Sequence, residues 1–121
     1  MEFNSNFRYD LKVGQMAEQA LADILQNKTI EVKRDLKFKV TGNIFIEFES
    51  RGKPSGIATS EADYWCFVLD EIYILLKTQS LKELIDPLKG TDRQKRGGDK
   101  NTSVGVLLKV TDLMKQNNNN E

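Results

Sequence analysis

Apolar residues first recur along this chain with a helical period. Val13, Met16, Ala17, Ala20, Leu21, Ile24 and Leu25 fall at i, i+3, i+4, i+7, i+8, i+11 and i+12, which predicts an amphipathic helix with one apolar stripe. Asp10 is placed to cap it. Glu18 shares a column with Gly14, Leu21 and Leu25 at the edge of that stripe. The period then falls to two. From residue 30 to 40, Ile30, Val32, Leu36, Phe38 and Val40 share one parity, and Glu31, Lys33, Asp35, Lys37 and Lys39 share the other. That predicts a long half-buried strand with one charged face. After Thr41-Gly42-Asn43, a second alternating run sets Ile44, Ile46 and Phe48 against Phe45, Glu47 and Glu49.

Parity makes these two runs a candidate hairpin. The even apolar residues share a face only if the loop length is odd, because a one-residue slip turns every side chain over. A three-residue loop at 41–43 pairs Val40 with Ile44, Phe38 with Ile46 and Asp35 with Glu49, and leaves Glu47 on the diagonal. Directly opposed Cβ atoms lie about 5 Å apart and diagonal ones about 7–8 Å. Three carboxylates are thus expected on one sheet face, with Lys33 beside them.

Further along, Arg51 to Gly56 is a Gly/Pro loop with two cations, Arg51 and Lys53. Thr59 or Ser60 is placed to cap a short helix over 61–63. Residues 64–69 and 72–77 read as a hairpin buried on both faces, and 80–88 as a short helix with Leu81, Leu84 and Ile85 inward. Residues 89–103 form a polar loop, 104–110 a last strand, and 111–114 close the fold. The expected fold class is α/β (α+β), a mixed β-sheet flanked by helices. The expected organisation is an N-terminal extension over 1–9, one domain over 10–114 and a disordered polar tail over 115–121.

Composition narrows the chemistry. The 121 residues contain no histidine and one cysteine, Cys66. Histidine-based hydrolases, zinc fingers and disulfide scaffolds are thereby excluded. Positive and negative residues balance at 18 each, but not locally. Lys89, Arg93, Lys95, Arg96 and Lys100 face only Asp92 and Asp99, a local net charge of +3. No apolar run approaches the roughly 20 residues of a membrane span. The N-terminus lacks the order of a signal peptide, so a cytoplasmic protein without a membrane partner is expected.

Like charges on neighbouring strands repel, so three grouped carboxylates need a cause. Neutralisation by Lys33, Lys37 and Lys39 on a solvated face is one. The other is a hard-cation site, since Mg²⁺ needs only one or two carboxylates plus a substrate phosphate. Such an ion activates water without histidine, and a basic loop nearby suits a polyanion.

A helix glutamate, then an aspartate, then Glu-x-Lys on a hairpin is the signature of the PD-(D/E)XK nuclease superfamily, which this chain resembles through Glu18 in Gly14-Gln15-Met16-Ala17-Glu18, Asp35 in Glu31-Val32-Lys33-Arg34-Asp35, and Glu47-Phe48-Glu49. The stretches 55–65 and 97–101 look like small phage-type and restriction-like members. Glu49 stands where the family carries its lysine, and the gap between Glu18 and Asp35 is short. The resemblance implies a restriction-endonuclease-like fold and Mg²⁺- or Mn²⁺-dependent hydrolysis of DNA, with a homodimer for double-strand cleavage. It implies Asp35, Glu47 and Glu18 as metal ligands, Glu49 as ligand or base, and Lys33 as the substitute for the missing lysine.

Arg51, Lys53, Ser55, Thr59 and Ser60 carry the hydroxyls and cations of phosphate contacts, and Lys95, Arg96, Lys100 and Asn101 are the basic-loop candidates for DNA. Tyr64 and Trp65 are read as core before stacking platforms, and Cys66 as inert core. The competing readings are a non-catalytic DNA-binding module, favoured by Glu49 in place of lysine, and a subunit whose basic loop docks on a protein partner.

Overall fold

A computed structural model describes the backbone of residues 3–35 and 37–114 and the side chains of residues 12–35 and 37–113. In chain order the elements are α1 (Phe3–Asn27), β1 (Ile30–Arg34), α2 (Phe38–Thr41), β2 (Asn43–Ser50), β3 (Lys53–Pro54), β4 (Tyr64–Leu69), β5 (Ile72–Lys77), α3 (Thr78–Ile85), β6 (Gln94–Gly97) and β7 (Ser103–Lys109). Short 3-10 turns occupy Gly56–Ala58, Asp86–Leu88, Asp99–Asn101 and Val110–Met114. The class is mixed α+β. The strands form two sheets rather than the single one expected: β1-β4-β5, and β3-β2-β7-β6.

α1 begins at Phe3, well before Asp10, because no glycine or proline interrupts residues 3–13. Asp10 is therefore inside the helix and not its cap; its side chain, like Leu36 and the expected tail at 115–121, lies outside the described residues.

The hairpin expected between residues 30–40 and 44–49 does not form. β1 pairs in parallel with β4, Ile30 against Tyr64 through Arg34 against Val68. β2 pairs antiparallel with β7, Ile44 against Leu108 and Glu47 against Gly105. Asp35 is thus not opposite Glu49. The physical cause lies at Asp35 itself. Its Oδ1 accepts the backbone N–H of Lys37 at 2.9 Å, an Asx turn that ends the strand. One turn of α2 follows, and Gly42 closes it at φ 72°, where its N–H reaches the Phe38 carbonyl at 2.7 Å. The Thr41-Gly42-Asn43 signal was a helix terminus, not a hairpin loop.

The two faces of β1 are also reversed. Register sets Glu31 and Lys33 beside Trp65 and Phe67, on the buried side of the sheet. Val32, assigned to the core by parity, is 60% exposed, and Val40 is exposed too. The core instead joins Ile44, Ile46, Val106 and Leu108 of the four-stranded sheet to Trp65, Phe67 and Leu69 of the other, with Leu81 and Ile85 of α3 and Ile57. β4 and β5 do form the expected hairpin, but neither is buried on both faces: β4 alternates between buried and half-buried positions, and β5 runs from exposed Ile72 and Tyr73 to half-buried residues 74–76.

Two other expectations change. Residues 61–63 are not helical; the helical turn lies earlier, at Gly56–Ala58, and Ser60 Oγ accepts Trp65 Nε1–H at 3.0 Å instead of capping a helix. The polar stretch 89–103 contains β6, an edge strand on β7. Lysine and arginine suit an edge, where they discourage pairing with other chains.

The entry to β1 is held by reciprocal hydrogen bonds. Thr29 donates its N–H (3.0 Å) and hydroxyl (3.2 Å) to Asp63 Oδ2, and Asp63 N–H donates to the Thr29 carbonyl at 3.0 Å. The Thr29 N–H, its hydroxyl and the nearby Lys28 charge hold the Asp63 carboxyl below its usual 3.8. A carboxyl lowered in the folded state adds stability above its unfolded pKa and loses it as pH falls through the folded one. Asp63→Asn is therefore expected to reduce stability by a constant amount above about pH 5, with the gap to the parent narrowing below 3.8. Urea midpoints measured from pH 2 to 6 check this.

Candidate active site

Where β1 ends, its last residues meet β2. β3 covers β2 only at Glu49 and Ser50, so the stretch from Phe45 to Glu47 has no strand on that edge. Asp35 takes the place of a ladder partner there, its Oδ2 accepting the Phe45 N–H at 3.3 Å. The Phe45 ring lies against Gly97 and Gly105, neither of which has a side chain to displace it. That slot anchors β2 at the point where Asp35 attaches.

A cleft of about 200 Å³ opens at this junction, and Lys33, Asp35, Phe45, Glu47, Gly56 and Trp65 are among the residues lining it. Glu47 is fixed from one side. Its Oε2 accepts the Ser55 hydroxyl at 2.7 Å. Gly56, at φ 55°, brings its backbone against the Glu47 carbonyl so closely that a Cβ would overlap it. The following residue, Phe48, is a β-bulge: Glu47 opposes Gly105 and Glu49 opposes Val104. Bulges re-aim neighbouring side chains, and Glu49 is not on the cleft wall.

Lys33 stands between this cleft and a second one of about 380 Å³, which Glu31, Thr59, Ser60 and Glu61 help to line. Its ammonium is 3.5 Å from Glu31 Oε2 and 5.6 Å from the centre of the Trp65 ring. Of the three lysines expected to neutralise the carboxylates, Lys33 pairs with Glu31 and Lys39 with Asp70 at 3.1 Å, while Lys37 is exposed. Among the described residues, neither Asp35 nor Glu47 is in an ion pair.

The remaining candidates are placed as follows. Glu18 is exposed on α1 and lines neither cleft. The three-carboxylate group drawn from the hairpin register is not assembled, and among the described residues no set of three or more His, Cys, Asp or Glu side chains is arranged to hold a metal. Arg51 and Lys53 are exposed around the β2–β3 turn, where Arg51 has φ 52°. Lys95 opposes Gly105, which in turn opposes Glu47, so Lys95 and Glu47 share a face of the sheet across two strand spacings, roughly 10 Å. Arg96 pairs with Val104 on the other face. Lys100 and Asn101 are exposed at φ 55° in a 3-10 turn. Trp65 is core, as expected, while Cys66 is only half-buried.

Sequence reasoning missed Glu31 and Gly56. Glu31 shares the parity of Lys33 and Asp35, which was a usable signal. The contact between Gly56 and Glu47 had none, because it depends on a turn folding back along β2. No helix among the described residues is long and apolar enough to cross a membrane. Comparison of the chain with protein-family models, curated proteins and solved structures finds no match.

Proposed function

We propose that this chain is a restriction-endonuclease-like, metal-dependent endodeoxyribonuclease, with its centre in the cleft between β1 and β2. The observation that carries the reading is that Asp35, Glu47 and Lys33 line one cleft while, among the described residues, neither carboxylate is in an ion pair. Two carboxylates fit Mg²⁺ or Mn²⁺, which accept few protein ligands when a substrate phosphate and waters complete the shell. Asp35 and Glu47 would hold the ion. When bound, it supplies charge neutralisation at the phosphate and a more acidic water.

The chain's own groups do the rest. Backbone N–H groups of Lys37 and Phe45 orient Asp35, and Ser55 orients Glu47. Glu31 keeps the Lys33 ammonium at the mouth of the cleft, where it orients the attacking water or steadies charge on the phosphate. Lys95, on the Glu47 face of the sheet, engages the DNA backbone, as do Arg51 and Lys53 at the β2–β3 turn.

The test is direct. Purified protein is incubated with supercoiled and branched DNA, with Mg²⁺, with Mn²⁺, and with chelator. Cutting that needs the divalent ion and stops with chelator is expected. Tight DNA binding with no cutting under any divalent ion would replace this reading with the non-catalytic binding module that Glu49 favours.

A further inference from the structure

Two apolar surfaces of this chain are uncovered. The first is the stripe on α1, where Met16 and Leu25 are each 64% exposed and Leu21 is 50% exposed. The second is the outer face of the three-stranded sheet. Alternation against the buried Trp65, Phe67 and Leu69 turns Tyr64, Cys66 and Val68 outward, and register adds Ile30 and Val32 from β1 and Tyr73 and Leu75 from β5. Val32 is 60% exposed and Tyr73 69%, at the two edge strands, while Ile30, Tyr64, Cys66, Val68 and Leu75 are half-buried. Contiguous apolar exposure of this kind marks an interaction site.

We propose that the two surfaces cover each other between two copies of the chain, the α1 stripe of each protomer lying on the outer sheet face of its partner about a two-fold axis. The dimensions match. The stripe from Val13 to Leu25 runs about 18 Å at 1.5 Å per residue, and the six-residue β4 spans about 20 Å. The charges match as well. Glu18 and Asp23 flank the stripe on opposite sides, while Arg34 and Lys77 occupy opposite corners of the sheet face by register. The link between α1 and β1 is only Lys28 and Thr29, Thr29 is tied to Asp63, and within the protomer Val13, Met16, Leu21 and Leu25 of the stripe are exposed while Ile24 is half-buried. Seven stripe positions and nine outward sheet positions per protomer approach the roughly 20 residues a side of a stable interface. A patch that meets a different patch of its partner closes as a dimer when the exchange is reciprocal. This inference is independent of the nuclease reading.

The full chain is measured by light scattering from 1 to 100 µM. A dimer is expected, with the dissociation constant raised at least tenfold by Leu21→Asp on the helix and separately by Val32→Asp on the sheet. Cooperative melting retained in both variants shows that each still folds. A covalent test uses the native Cys66, central on the sheet face, with Ala17→Cys at the middle of the stripe. Mild oxidation is expected to give a disulfide-linked dimer that disappears when Cys66→Ala is added. A monomer at every concentration overturns the proposal. So does an Ala17→Cys to Cys66 disulfide within one chain, or a dimer that neither aspartate substitution weakens.

Discussion

On the proposed nuclease reading, Asp35→Ala and Glu47→Ala each lower metal-dependent DNA cleavage by about 10²–10³-fold, the usual cost of losing one group that stabilises transition-state charge. The two variants should differ in their other properties. Asp35 also ends β1 and bonds the Lys37 and Phe45 N–H groups, so its removal leaves those donors without their partner. Some loss of stability, about 1–2 kcal/mol, should accompany it. Glu47 holds only the Ser55 hydroxyl by its side chain among the described residues, so Glu47→Ala should melt close to the parent. Weaker ion binding by both, measured by titration calorimetry with Mn²⁺, separates loss of the ion from loss of the fold. Cleavage that persists in Asp35→Ala at the parent rate would move the centre elsewhere.

Gly105→Ala should be strongly destabilising. A Cβ at Gly105 would overlap the Ile46 carbonyl and come within 2.7 Å of the Phe45 ring. Both obstacles belong to the strand that is paired with Gly105, so neither moves without disturbing the β2–β7 ladder. Overpacking of this kind costs about 3 kcal/mol, a fall in melting temperature on the order of 10 °C for a domain of this size. It should also displace Phe45 and with it the attachment of Asp35. Gly14→Ala is the matched control. Its Cβ would meet open space on α1, so the helix should gain up to about 1 kcal/mol. Thermal melts of both variants against the parent check the contrast; equal melting of Gly105→Ala and the parent would remove the steric argument.

Elements marked by a local period were legible. The stripe over 13–25, the pair 64–69 and 72–77, the helix with Leu81 and Ile85 inward and the strand ending near 109 all occupy their expected stretches. Strand partners were not legible. Parity in β2 is satisfied equally by a neighbour before it or by β7 some 60 residues later, and periodicity carries no term for that choice. The strand break at Asp35 was hidden for a related reason: an Asx turn needs only one side-chain oxygen and leaves the alternating pattern unchanged. Lys33, Asp35 and Glu47 nevertheless line one cleft, although the register that first grouped them was wrong. The connection from Asp35 to Asn43 is short, so the end of β1 stays beside the start of β2 whichever strand each one pairs with. Glu49 had no such tether, and the bulge at Phe48 takes it away.

The position of the cleft at the seam between the sheets has a thermodynamic consequence. Asp35 closes the strand that belongs to one sheet, and Glu47 belongs to the other. An ion that engages both acts as a rivet through two layers, and its affinity adds to the work of prising them apart. At a free concentration one hundred times the dissociation constant that linkage is worth about 2.7 kcal/mol. The melting temperature of the protein is then a titration curve for any ion held between these two carboxylates, readable without any nucleic acid in the tube.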